Sequence, residues 1–177
     1  TDTQPPTGFD FVEIKAEDTS KIEVMLEQLG FTSRGRHRTK PVSLYTAGGA
    51  RIVLNEQHAR DRQPHVAAVG LTVSSSPSYS ARARELAAPV AHRRTYATEQ
   101  SIDAVVAPDN TRMFWTEDPR PGDEPPWVGE FENGEEPTSS EVTVVDHVNL
   151  SQPWEVIEEA VLFHTAVLGL TSEVPTE

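Results

Sequence analysis

The chain has 177 residues, 36% hydrophobic and 24% charged, with 28 acidic against 15 basic side chains and a formal net charge of −13. That length predicts one domain, or one domain and a remainder, and the absence of cysteine excludes disulfides, thiolate metal sites and a cysteine nucleophile. No apolar run is long enough to span a membrane, no leader is visible, and the acidic balance excludes a nucleic-acid footprint, so the expectation is a soluble, cytoplasmic domain whose only soft metal ligands are six histidines.

Phe9–Lys15 carries Phe, Val and Ile in alternation and predicts a strand. Asp18-Thr19-Ser20 supplies helix-capping residues, Ile22, Met25, Leu26 and Leu29 form an apolar stripe at helical spacing, and Gly30 ends that helix. Thr32–Arg38, Val42–Thr46 and Arg51–Asn55 predict strands, the last two joined by a turn at Gly48-Gly49. The order is βαβββ, and it recurs. Val66–Val73 predicts a strand, Pro77–Ala87 a helix with proline at its start, and Val90–Arg94, Ser101–Val106 and Arg112–Thr116 three more strands. Asp109-Asn110 predicts the turn between the last two, since both residues tolerate left-handed backbone. Two consecutive βαβββ units, residues 8–58 and 65–117, imply an internal repeat within a first domain of residues 1–117.

Glu117–Glu141 holds nine of the 28 acids, one base and five of the 14 prolines. Proline removes backbone donors and like charges repel, so residues 118–142 are expected to be an irregular acidic connector, pinned by Trp127 and Phe131. Beyond it, Asp146-His147-Val148-Asn149-Leu150 matches Asp10-Phe11-Val12-Glu13-Ile14, and Leu168-Gly169-Leu170-Thr171-Ser172 matches Leu29-Gly30-Phe31-Thr32-Ser33. Residues 143–177 therefore read as the opening strand and helix of a third module, and the chain as a fragment cut in mid-unit.

Paired βαβββ modules with DHV at a strand start and LGF after the helix resemble the vicinal oxygen chelate superfamily. Within it, the resemblance is to 4-hydroxyphenylpyruvate dioxygenase-like proteins, carried by Asp10–Ile14, Leu29–Thr32, Gly35–Lys40, Val42–Tyr45 and Ile52–Glu56. Val144–Leu170 looks like the dioxygenase-like C-terminal half of bacterial two-domain 3-dehydroshikimate dehydratases. The resemblance implies an α+β fold whose paired βαβββ modules form an open, curved mixed sheet with helices outside. It also implies that only the second half of such a protein carries a divalent metal, Fe(II) foremost and Mg(II) or Mn(II) otherwise, on two histidines and a glutamate. Such a facial set leaves positions open for a 2-oxo acid or related small carboxylate and for oxygen. His147 falls on the first of those ligand positions, and the other two lie beyond Glu177. The matching positions in the first two modules are Phe11, Ala68, Phe114 and the neighbourhood of Val53, all apolar, so residues 1–117 are expected to be metal-free.

A lone strand histidine is ordinarily a hydrogen-bonded structural residue; the repeat position and the DHV context favour His147 as a ligand in the parent, although one histidine in this chain holds no metal tightly. His65 reads as a loop or strand-edge residue and His164 as a helix-surface or packing residue. Arg34, Arg36, Arg38 and Lys40, around His37, share strand parity and read as a solvated face or a counter-surface for the acidic connector, ahead of an anion site. Arg60, Arg62 and His92-Arg93-Arg94 read as surface, and nothing in the sequence pairs Glu13 with Glu56 for acid–base work. Two functions follow: a fragment of a metal-dependent dioxygenase-like protein, from a dehydratase fusion whose TIM barrel is absent here, or a non-catalytic structural, dimerisation or ligand-binding module. Self-association through the incomplete third module is expected, because unpaired strand edges seek partners.

Overall fold

The computed structural model describes residues 4–60, 63–92 and 94–173, so the surface readings of Arg62 and Arg93 lie outside the described residues. Its first module is β1 (Gly8–Lys15), α1 (Ser20–Gln28), β2 (Thr32–His37), β3 (Val42–Ala47) and β4 (Ala50–Asn55). The second is β5 (His65–Val73), α2 (Ser76–Glu85), β6 (Ala104–Val106) and β7 (Arg112–Glu117). These strands, with β8 (Phe131–Asn133), form one mixed sheet in the order β6-β7-β5-β1-β4-β3-β2-β8. The repeat is visible in the ladders. β1 lies parallel to β4 and β5 parallel to β7, while β1 and β5 join the modules antiparallel at the centre. Because β1 is central, Phe11 and Val12, on opposite faces, are both buried.

The outer face is covered by helices. Leu26 of α1 packs with Tyr45 and Leu54 of the sheet, and Ile22 lies against them. The expected stripe is only half used: Met25 and Leu29 are exposed, Leu29 being the residue where the helix ends before left-handed Gly30. Thr19 occupies the N-cap without a side-chain cap, and Asp18 just before it accepts from Ser20 N–H through Oδ1 at 3.0 Å. Under α2 lie Val69, Leu71, Val73, Met113 and Trp115. The inner face carries Phe11, Leu44, Ala68, Ala104 and Phe114, roofed by Trp127 and Val128. Gly70 stands opposite Phe11 in the β1–β5 ladder, and a Cβ there would come within 2.4 Å of the Phe11 ring, so only glycine lets that ring lie across β5.

Three expectations are corrected. Among the described residues, the expected strand Val90–Arg94 reduces to a single bridge from Val90 to Val105, and its neighbour Ser101–Val106 to Ala104–Val106. The chain between runs instead to the β2–β3 end, where Arg38 donates to Thr98 O and Glu99 meets Thr39 and Lys40. The acidic segment is not irregular throughout: Pro126–Glu130 makes a turn of 3-10 helix and β8 adds to the edge of β2. Four of its five prolines fall before the strand and Pro137 after it, and basic partners on β2 and just beyond it offset its charge, Arg34 with Glu124 and Arg38 with Glu132. Close approach is again decisive, since Gly35 has φ +90° and a Cβ there would stand 1.9 Å from Glu132 O. Lastly, Asp146–Leu150 belongs to no strand. With no neighbouring strand to satisfy it, an isolated strand gains nothing; Val148 and Leu150 pack instead on the outer core. A 3-10 turn at Trp154–Val156 leads into α3 (Ile157–Ala166), which places Phe163, Val167 and Leu168 over β5 and β7. Tyr79 Oη donates to Leu168 O and Arg82 Nε to Ala166 O, tying that segment to α2.

Candidate functional site

The four positions that match metal ligands by repeat arithmetic do come together. Phe11, Ala68 and Phe114 are core members of one inner-face cluster, with Val53 packed against it. The Phe11 and Phe114 rings stand 5.7 Å apart and Phe11 and Trp127 5.3 Å, edge to face. Carbon and aromatic surface supply no lone pair for a cation, so this donor set does not fit a metal centre. Among the described residues no three histidine, aspartate or glutamate side chains are grouped to hold one.

What the cluster does enclose is a cavity of about 120 Å³, walled by Phe11, Phe114, Trp127, Phe131 and Val53. Its polar lining includes Glu13, Asn55, Arg112, His37, Lys40 and Glu130. One wall is a buried network. His37 Nε2 lies 2.8 Å from Glu130 Oε2 and 3.9 Å from Glu99 Oε1, and Gln100 N–H donates to Glu130 Oε1 at 2.5 Å. Glu99 accepts from Lys40 Nζ, from Thr39 Oγ1 at 2.5 Å and from Tyr96 N–H at 3.2 Å. Burial works to raise its pKa, but these donors together outweigh it and bring the carboxyl down to about 2. Beneath the cavity a second network spans both modules and the acidic segment: buried Asp10 accepts from Thr116 Oγ1 at 2.6 Å, Trp127 Nε1 at 2.9 Å and Arg51 Nη1 at 3.2 Å.

Two members of the basic run around His37, Arg34 and Arg38, face the acidic segment, while Arg36 and Lys40 pair with Glu56 and Glu99 outside it. Arg34 makes a two-pronged pair with Glu124 at 2.6 and 2.9 Å, which raises the guanidinium and lowers the carboxyl. Arg36 pairs with Glu56 at 3.0 Å and Arg38 approaches Glu132 at 3.9 Å. His147 stands apart from all of this, its side chain 82% exposed and its Nδ1 2.9 Å from Asp146 Oδ2. His65 begins β5 in an exposed position, and His164 Nδ1 meets Ala160 O at 2.7 Å on α3. Glu13 and Glu56 keep separate partners, Asn55 for one and Arg36 and Thr19 for the other. The His37–Glu130–Glu99 group was not visible in the sequence, because Glu130 sits 93 residues from His37 in a stretch rich in solvated acids. The available signal was Trp127 and Phe131, apolar residues that mark part of that stretch as buried.

The family described as hydroxyphenylpyruvate dioxygenase, HPPD, N-terminal matches residues 4–116. A 4-hydroxyphenylpyruvate dioxygenase from Pseudomonas sp. (strain P.J. 874) is 32% identical over 105 residues, 55% of this chain and 29% of that protein. A 3-dehydroshikimate dehydratase from Pseudomonas aeruginosa is 28% identical over 182 residues, 94% of this chain and 28% of that one. The chain thus spans under a third of the length of these curated relatives. Among solved structures, a xylose isomerase-like TIM barrel/4-hydroxyphenylpyruvate dioxygenase fusion protein superposes with a TM-score of 0.79 at 22% identity, over 98% of this chain and 29% of the other.

Proposed function

This chain belongs to the hydroxyphenylpyruvate dioxygenase N-terminal family, and from that premise we propose that residues 4–133 are a metal-free, non-catalytic domain of a longer dioxygenase-like protein. The observation that carries this reading is the set Phe11, Val53, Ala68 and Phe114, gathered into one apolar cluster where ligands would otherwise converge. In that parent, a dioxygenase or a dehydratase fusion acting in the cytoplasm, a divalent metal with Fe(II) foremost would sit in a neighbouring half. His147 would supply its first ligand, and a 2-oxo acid or related carboxylate would be the substrate. Residues 4–133 shape and pack against that half. Titrating Fe(II), Mn(II) and Mg(II) into this chain should leave its thermal stability unchanged. Stabilisation of about 2.7 kcal/mol at a hundredfold excess over the dissociation constant, lost in His147→Ala, would overturn the reading.

A second reading, an interaction module, is favoured by the open face of the C-terminal segment. Ile157, Val161 and Leu162 line one open face of α3, Leu162 being 65% exposed, and Trp154 just before the helix is 85% exposed. Apolar side chains grouped this way mark contact surfaces. Self-association through residues 143–173 is then expected: sedimentation velocity should show a dimer that Leu162→Glu returns to monomer. A monomer at high concentration in the unsubstituted chain would remove this reading and leave the first intact.

A further inference from the structure

The inner-face cavity has a ring-sized interior and an arrangement of charge at its rim that the packing of the domain does not use. Its interior is bounded by the rings of Phe11, Phe114, Trp127 and Phe131, and its volume of about 120 Å³ is close to the roughly 150 Å³ that admits a benzene ring elsewhere. Most charges in the lining are answered within the protein: Lys40 by Glu99, and Glu130 by His37 and the Gln100 N–H. Two are answered weakly or not at all. Arg112 is exposed and has no carboxylate partner among the described residues, and Glu13 is bonded to the neutral amide of Asn55 at 2.5 Å.

The ladders place these two on one lateral row. Glu13 of β1 stands opposite Ala68 of β5, and Ala68 opposite Arg112 of β7. Adjacent strands are about 4.8 Å apart, so the two charged residues start about 10 Å apart, with only a methyl group between them. A cation and an anion face the same ring-lined space across that gap.

We propose that this cavity binds a zwitterionic ring compound, an α-amino acid with an aromatic side chain. Its ring occupies the slot against Phe11 and Phe114, its carboxylate meets the Arg112 fork, and its ammonium meets Glu13. Aromatic contact supplies the affinity and the charge pair supplies the selection. A ligand of this size binding one small slot is expected to have a Kd on the order of 1 mM or below.

Titration calorimetry of the full chain with L-phenylalanine, 3-phenylpropionate and phenethylamine tests this directly. The last two lack the ammonium and the carboxylate respectively. L-Phenylalanine should bind about tenfold tighter than either. Arg112→Met should abolish its advantage over phenethylamine, and Glu13→Gln its advantage over 3-phenylpropionate. Val53→Phe, which fills the slot, should remove binding of all three. Arg112→Met changes an exposed side chain and keeps the test open if Val53→Phe does not fold. Absence of saturable binding at about 10-fold above the expected Kd, equal binding of the three compounds, or undiminished L-phenylalanine binding by Arg112→Met would each overturn the proposal.

Discussion

Replacing Asp10 with alanine should destabilise the chain by about 3–5 kcal/mol, the cost of removing one member of a buried charge pair. Asp10 is 2% exposed, and three elements depend on it. Arg51 of β4 donates to it, Thr116 of β7 donates its hydroxyl, and Trp127 donates its indole N–H. The alanine variant leaves a largely buried guanidinium, a hydroxyl and an indole without their acceptor. For a chain of this length each kcal/mol moves the melting temperature by about 2–4 °C, so a fall of roughly 10 °C is expected. Asp10→Asn keeps an acceptor but loses the charge and should cost less, while Thr116→Val, which removes one donor, should cost about 1 kcal/mol. The loss in Asp10→Ala should come with faster proteolysis between residues 118 and 133, because Trp127 holds that stretch to the core. Chemical denaturation placing Asp10→Ala within about 0.5 kcal/mol of the unsubstituted chain would show that the network contributes shape and not stability.

The same residue shows why the repeat was legible and its energetics were not. Asp10-Phe11-Val12 and Asp146-His147-Val148 could be matched by type and spacing alone, since strand starts and post-helix glycines recur at fixed offsets. Which faces those strands bury depends on neighbours far away in sequence. The βαβββ order of the first module, the turn at left-handed Asn110 and the apolar character of Phe11, Val53, Ala68 and Phe114 were all local facts, and the structure keeps each of them. The burial of Glu130 and the joining of β8 to β2 were not local. They need a glycine at 35, a histidine at 37 and a tryptophan at 127 to meet, and proline and charge density concealed that pairing. Asp146–Leu150 failed in the opposite direction. Its sequence has the composition of β1, but a strand is completed by its neighbours, and this segment has none among the described residues.

Below about pH 5 the domain should lose stability through Glu99. Its side chain is only 1% exposed, and Lys40, Thr39 and the Tyr96 N–H hold the carboxyl at about 2 instead of its ordinary 4.5. A carboxyl whose folded pKa lies below its unfolded value stabilises the fold fully above the unfolded value and loses that contribution as pH falls toward the folded one. The window is therefore about pH 5 to 2, and a displacement of this size corresponds to about 3 kcal/mol. Glu99→Gln removes the titration while keeping the side chain's size. At neutral pH the variant should be the less stable protein, since Lys40 loses its partner; as pH falls the difference should shrink and nearly vanish by about pH 2. His37 Nε2 is shared, 3.9 Å from Glu99 and 2.8 Å from Glu130, so the comparison is made in the unsubstituted chain and in a His37→Gln background. A stability gap between the Glu99→Gln variant and its own background that stays constant from neutral pH to about pH 2 in both backgrounds would contradict the assignment. A gap that closes over this window locates the acid sensitivity of the domain in the loop where the second module departs from the strand order of the first. There, a carboxylate bound to the β2–β3 end takes the place of the missing hydrogen-bonded strand.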